Sequence, residues 1–230
     1  YKDKWEWGKY GLSSNDSLPW SKKLIERYED EWDWALLSKK ESLSWSEAII
    51  ERFEDKWEWD ELSKNKSLPW SESLIERYRD KWNWGWEGLS SNESLPWSEE
   101  LIERYADKWD FGILSENDSL PWSESLIESY KDKWCWVALS TNESLPWSAP
   151  FFERYEDKWD WGRLSGNEAL PWSETLIERY KDEWNWRGQF MEKEYFHNSP
   201  PAQWINWETS LSNNNSLPWS ESLIDRFADN

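Results

Sequence analysis

General acid-base catalysis needs carboxylates in unlike surroundings, or a histidine titrating near neutrality. The acidic residues and the single histidine, His197, are therefore the first to weigh. Asp30, Asp55, Asp80, Asp107, Asp132, Asp157 and Asp182 occupy one position of a recurring motif. Like settings give like roles, so this sequence uses them for capping and solvation. His197 has no evident partner near it in the chain. No phosphate-cradling glycine loop, zinc-ligand spacing or nucleophile elbow is present, and hydroxyls such as Ser98 and Ser123 sit where helix caps belong. These residues imply no enzyme, no cofactor and no metal.

The lone cysteine, Cys135, has no second thiol to pair with and no histidine cluster around it, so it reads as a buried or neutral thiol. With no targeting segment visible, it favours a cytoplasmic setting. Asn15, Asn65, Asn92, Asn117, Asn142 and Asn214 head Asn-x-Ser triplets that match glycosylation acceptors. Their recurrence at one polar turn is accounted for by Asx-turn chemistry.

Tryptophan is the other residue that could do chemistry, by stacking on sugars, bases or cations. The chain of 230 residues holds 26 of them, and they fall into register. The Trp of a Leu-Pro-Trp-Ser motif stands at Trp20, Trp45, Trp70, Trp97, Trp122, Trp147, Trp172 and Trp219, spaced by 25 residues except for one spacing of 27 and one of 47. A Trp-x-Trp doublet recurs between these, as in Trp32-Trp34, Trp57-Trp59 and Trp159-Trp161, with Phe111 replacing one member. Trp86 alone lies outside the phases, in a short insertion. Periodic rings are expected to form core ladders, while the Leu-Pro-Trp phase is the one best placed to line a binding surface.

A fixed period overrides any residue-by-residue guess at fold. Within one unit, Ser94-Leu95-Pro96-Trp97-Ser98-Glu99 reads as a helix start, with a hydroxyl cap, a proline in the first turn and acids near the positive dipole end. Leu101, Tyr105 and Trp109 follow four apart, giving one apolar face. Asp107 is expected to cap a second, shorter helix, with Asp110 in a capping-box position, ending near Leu114-Ser115. A helical pair this small cannot bury its own apolar face, so neighbouring units must stack. The expected fold is all-α, an α-solenoid of tandem helix-turn-helix repeats with a 25-residue period. Residues 1–187 read as regular repeats, 188–212 as a degenerate inserted unit and 213–230 as a final partial repeat.

The string Leu-Ile-Glu-Arg-Tyr-x-Asp-Lys-Trp-Asp-Trp-x-x-Leu-Ser-x-Asn, present with small changes at residues 24–40, 74–92 and 151–167, resembles short helical repeats of large DNA viruses and some bacteria. Those repeats share a Tyr-x-Asp-Lys-x-Asp-Trp-x-x-Leu-Ser-x-Asn core. The resemblance implies a helical array without a catalytic role, and names no ligand.

With 47 acidic against 27 basic residues, the net charge is −20. That field disfavours nucleic acid and anionic membranes, and favours a basic protein partner or another copy of the chain. The function expected is a protein-interaction or scaffolding solenoid. Alternatives are end-to-end self-assembly, and carbohydrate or small-ligand binding through exposed Trp. Candidate binding residues are the Leu-Pro-Trp series together with Trp86, Tyr195, Phe196 and His197, the places where the repeat loses its regularity.

Overall fold

A computed structural model describes residues 4–187 and 210–228. Among these residues every regular element is helical. In chain order the helices are α1 (Lys22–Arg27), α2 (Trp34–Lys39), α3 (Glu47–Arg52), α4 (Trp59–Lys64), α5 (Glu72–Arg77), α6 (Glu99–Arg104), α7 (Phe111–Leu114), α8 (Glu124–Ser129), α9 (Trp136–Leu139), α10 (Ala149–Arg154), α11 (Trp161–Leu164), α12 (Glu174–Arg179) and α13 (Glu221–Phe227). They alternate between a longer A type, beginning after the Leu-Pro-Trp-Ser motif, and a B type that opens on the second aromatic of the doublet. Three-residue 3-10 helices at Leu12–Ser14, Leu89–Ser91 and Leu211–Asn213 stand where further B helices would be. The chain is an α-solenoid of 25-residue helical repeats, in two compact units, Tyr1–Ile113 and Leu114–Asn230.

The A helices begin later than the sequence suggests. Ser98, not Ser94, is the N-cap of α6, its hydroxyl accepting the Leu101 N–H at 3.0 Å. The same cap recurs at Ser21, Ser46, Ser71, Ser123, Ser148, Ser173 and Ser220. Leu-Pro-Trp lies before the helix in a tight turn closed by the Trp N–H on the Leu carbonyl, as in Trp97 to Leu95 at 2.8 Å. Proline presets the backbone angle such a turn needs. Ser44 stands at the proline position, and Trp45 still closes on Leu43 at 2.8 Å.

The B helices also start later. Asp110, not Asp107, caps α7, accepting the Ile113 N–H at 3.2 Å, and Asp33 and Asp160 do the same for α2 and α11. Asp107 lies in the exposed turn that follows α6, one residue before the lysine. The doublet's first Trp must enter the core, and that geometry moves the helix start to its second member.

The internal A helices bury a Leu-Ile pair or its equivalent: Leu74-Ile75, Leu101-Ile102 and Phe151-Phe152 are all sealed from solvent. The first Trp of the doublet, from Trp32 through Trp184, is buried against it, and its indole N–H caps the carbonyl of the second residue of that pair, as from Trp57 to Ile50 at 3.2 Å and from Trp159 to Phe152 at 3.0 Å. Trp109 departs from this, its buried N–H having no partner among the described residues.

Neighbouring repeats are joined by a polar ladder inside the core. The buried Ser63 hydroxyl donates to the Trp59 carbonyl at 2.7 Å and accepts the Asn83 N–H of the next repeat at 2.9 Å. Asn92, also buried, donates its amide to the Ser63 carbonyl at 2.9 Å and accepts the Ser94 N–H at 2.9 Å. Equivalent bonds join Ser38 with Glu58 and Asn65, and Ser140 with Asp160 and Asn167. Buried amides and hydroxyls must be satisfied, and here each is satisfied by the adjoining unit.

Candidate interaction surface

The tryptophans are largely consumed by the fold. Each Leu-Pro-Trp ring donates its indole N–H to the carbonyl of the residue five before it: Trp70 to Asn65 at 3.0 Å, Trp97 to Asn92 at 3.1 Å, Trp122 to Asn117 at 3.0 Å, Trp147 to Asn142 at 3.0 Å and Trp172 to Asn167 at 2.9 Å. The ring also tilts against the buried Trp of its repeat, with centroids 5.2 Å apart for Trp20 and Trp32 and 5.0 Å apart for Trp45 and Trp57. Trp20 is buried, Trp45 through Trp172 are half-buried, and Trp219 is exposed. The doublet's second Trp reaches into the next repeat, Trp59 meeting Tyr78 and Trp82 at 4.8 Å each. A three-ring cluster therefore seals each such junction.

Charged side chains are also committed between repeats. Arg104 meets Glu72 at 2.8 Å and Arg154 meets Glu124 at 2.7 Å. Tyr155 donates to Glu128 at 2.5 Å, and Tyr105 to Glu76. Burial first, and then the hydrogen bond to Glu76, push the Tyr105 phenol up to about 12. The hydrogen bond from Tyr105 in turn holds the Glu76 carboxyl low. Lys40 replaces the ladder asparagine in one repeat. It is buried, with Nζ 2.6 Å from Asp16 and 5.1 Å from the centre of the Trp20 ring.

What varies is one turn, between the doublet's second aromatic and the conserved-in-repeat leucine of helix B. In regular repeats the leucine N–H closes a helical turn on the residue before that Trp: Leu37 to Asp33 at 3.0 Å, Leu62 to Glu58 at 3.0 Å, Leu139 to Cys135 at 2.9 Å. Where residues are inserted, the same bond closes over them: Leu12 to Glu6 at 2.8 Å, Leu89 to Asn83 at 2.7 Å and Leu211 to Asn185 at 2.9 Å. Those are the three repeats whose B element is a 3-10 helix. The inserted chain leaves and re-enters at one point, which we call the port.

Two ports carry Gly8-Lys9-Tyr10-Gly11 and Gly85-Trp86-Glu87-Gly88. Any Cβ on Gly11 or Gly88 would collide with the carbonyl of Glu6 or Asn83, so the returning strand requires glycine there. Between the glycines the side chains project, Tyr10 at 88% and Trp86 at 40% exposure. Tyr10 was not singled out by periodicity; the parallel between Gly8-x-x-Gly11-Leu-Ser-Ser-Asn and Gly85-x-x-Gly88-Leu-Ser-Ser-Asn is the signal that finds it.

The third port opens after Trp186. Tyr195, Phe196 and His197 lie outside the described residues. Beyond them the repeat resumes in register: Asn214 donates to the Ser165 carbonyl at 3.2 Å, Ser212 to the Trp186 carbonyl at 2.5 Å, and Phe227 packs on Trp186 at 4.9 Å. Leu211 and Ser212 thus hold the repeat's own Leu-Ser position. Cys135 is a free, half-buried thiol at the cap position of α9, its N–H bonded to Ser115. Among the described residues no group of His, Cys, Asp and Glu could hold a metal ion, and no helix is long and apolar enough to cross a membrane.

Compared with known proteins, the chain matches no family model, no curated protein and no solved structure.

Proposed function

We propose that this chain is a non-enzymatic interaction scaffold whose helical repeats hold inserted loops at fixed ports, and that the loops contact a protein partner. The observation that carries this reading is the shared closing bond at Leu12, Leu89 and Leu211, which lets unlike insertions leave an unchanged array. In repeat proteins, insertions at one position emerge on one face, and that face is often the binding one. Tyr10 and Trp86 supply the aromatic anchors that interfaces favour. The net charge of −20 favours a basic partner. The likeness to the short repeats of large DNA viruses and some bacteria implies a helical array without a catalytic role, in keeping with a non-enzymatic reading. Sugar stacking would fall to Trp86 and the end residues, since the internal Leu-Pro-Trp rings have their N–H groups engaged by the backbone.

A photo-crosslinking amino acid placed at Tyr10 or Trp86, with Lys23 on an A helix as the control site, tests the proposal in native extract. One protein crosslinked from both ports and absent from the control is the expected result. Equal labelling from all three positions would remove the ports from any role in recognition.

A further inference from the structure

We infer that Trp161, with the carboxylates of Glu156, Asp157 and Glu183, forms a seat for the ammonium of a lysine side chain carried by a basic protein partner. The seat uses no port residue and stands whether or not the ports bind.

Other repeats show what such a seat holds. The lysine just before a doublet reaches back over the second Trp of the preceding repeat: Lys81 lies 5.0 Å from the centre of the Trp59 ring, Lys108 5.6 Å from that of Trp84 and Lys158 5.4 Å from that of Trp136. Carboxylates in the turn of that preceding repeat meet the same ammonium. Lys56 lies 3.8 Å from Glu29 and 3.6 Å from Asp30, Lys81 lies 4.0 Å from Glu54, and Lys108 lies 3.7 Å from Asp80. A cation within about 6 Å of an indole centre is attracted by the ring, and flanking carboxylates add to that attraction.

At position 183 the chain carries Glu in place of this lysine. The rest of the seat is built as elsewhere. Trp161 meets Tyr180 at 4.9 Å and Trp184 at 5.0 Å, much as Trp136 meets Tyr155 and Trp159 at 4.9 Å each. Glu156 and Asp157 hold the two turn positions, and the Tyr180 hydroxyl donates to Glu156 at 2.7 Å, tying that carboxylate to the ring on which Trp161 packs. Glu156, Asp157 and Glu183 are exposed and Trp161 is half-buried.

The chain's own cations nearby in sequence are engaged elsewhere. Arg179 lies 5.1 Å from the centre of the Tyr180 ring and pairs with Glu153, Lys181 pairs with Glu178 at 3.5 Å, and Arg163 pairs with Asp160 at 2.9 Å. Among the described residues no cation lies over Trp161, and none pairs with Glu156, Asp157 or Glu183. Three carboxylates thus stand at a ring that in other repeats takes an ammonium, and the chain's charge of −20 draws a basic partner toward it.

Proton NMR of a blocked peptide carrying one lysine among glycines and serines, titrated with the whole chain, tests the inference. The expected result is an upfield shift of the lysine ε-methylene protons, from the ring current of Trp161, and no shift when that lysine is acetylated. Glu183→Lys places an ammonium in the seat from within. It should weaken peptide binding by about tenfold or more and raise the thermal midpoint of the chain. Glu103→Lys makes the same charge change at an exposed glutamate outside the seat, and should leave both readings nearly as they were. A peptide that shows no ring-current shift, equal weakening by the two variants, or a Glu183→Lys midpoint at or below that of the unaltered chain overturns the inference.

Discussion

The residues that looked most like chemistry are satisfied by one another. Asn92 shows the arrangement: its amide donates to Ser63 of the preceding repeat while its carbonyl oxygen closes the Asx turn at Ser94. The Asn-x-Ser triplets of Asn65, Asn92, Asn142 and Asn214 are thereby committed to the core. Replacing one partner of a buried hydrogen bond leaves the other without one, at a cost of about 1–3 kcal/mol. Asn92→Leu should therefore lower stability by about that amount in urea unfolding, whereas Asn15→Leu, at an exposed position, should change it little. The tyrosines give a pH signature. Tyr105 and Tyr180 are pushed up to about 12, by burial first and then by hydrogen bonds to Glu76 and Glu156, from an ordinary value of 10.0. The folded chain therefore holds more protons than the unfolded one in that window, so stability is full below about pH 10 and falls as pH rises through about 12. Alkaline titration followed by tyrosinate absorbance should show these phenols ionising only as the helices melt. The Tyr105→Phe chain should lose part of this alkaline sensitivity.

At the scale of the element, short helices are secured at their first turn. An isolated helix the length of α6 would not form in water, and its serine cap and the buried Leu-Ile pair hold it. The B element is less constrained. It needs only its leucine in the core and the bond back to the residue before the Trp, so what lies between can vary. Flexible loops lengthen cheaply, each doubling costing about 0.6 kcal/mol. A Gly/Ser segment inserted between Val137 and Ala138 should accordingly leave cooperative unfolding in place, and circular dichroism can follow it. The same segment placed between Leu126 and Ile127 should abolish folding of that repeat. Gly88→Ala should be costly for the opposite reason, since the returning strand passes against the Asn83 carbonyl. A midpoint unchanged by Gly88→Ala would show that the port can open without strain.

For the whole chain, stability resides in nearest-neighbour junctions. A chain ending at Trp186 loses the repeat that packs Phe227 on Trp186 and bonds Asn214 to Ser165, yet retains the junctions before it. It should stay helical with a lower thermal midpoint, as repeat arrays do. Loss of all cooperative unfolding in that chain would contradict the nearest-neighbour account. Replacing residues 187–210 by Gly-Trp-Glu-Gly, the sequence of another port, should leave the last repeat docked. Fluorescence reports the outcome, since Trp186 keeps Phe227 against its ring only if the register is held.

The period, the helical class and the core role of the tryptophans were legible from sequence because each follows from spacing. Residues repeated every 25 positions must occupy equivalent sites, and three rings per repeat in helical phase must face a core. The asparagine turns were legible for the same reason, their chemistry being local. Spacing could not place helix starts: Ser94 and Ser98, or Asp107 and Asp110, are equally good caps by type, and only the tight turn closed by Trp97 and the burial of Trp109 chose between them. Nor could it find the ports. Glycine at 11 and 88 is demanded by a carbonyl from a residue five before it, and the bond that closes over an insertion joins Leu211 to Asn185 across 26 residues. Exposure was likewise beyond it: Trp57 and Trp59 of one doublet are alike by type, yet the first is buried and the second half-buried. Packing between repeats decided that, and it separates the surfaces used up by the fold from those left for contact.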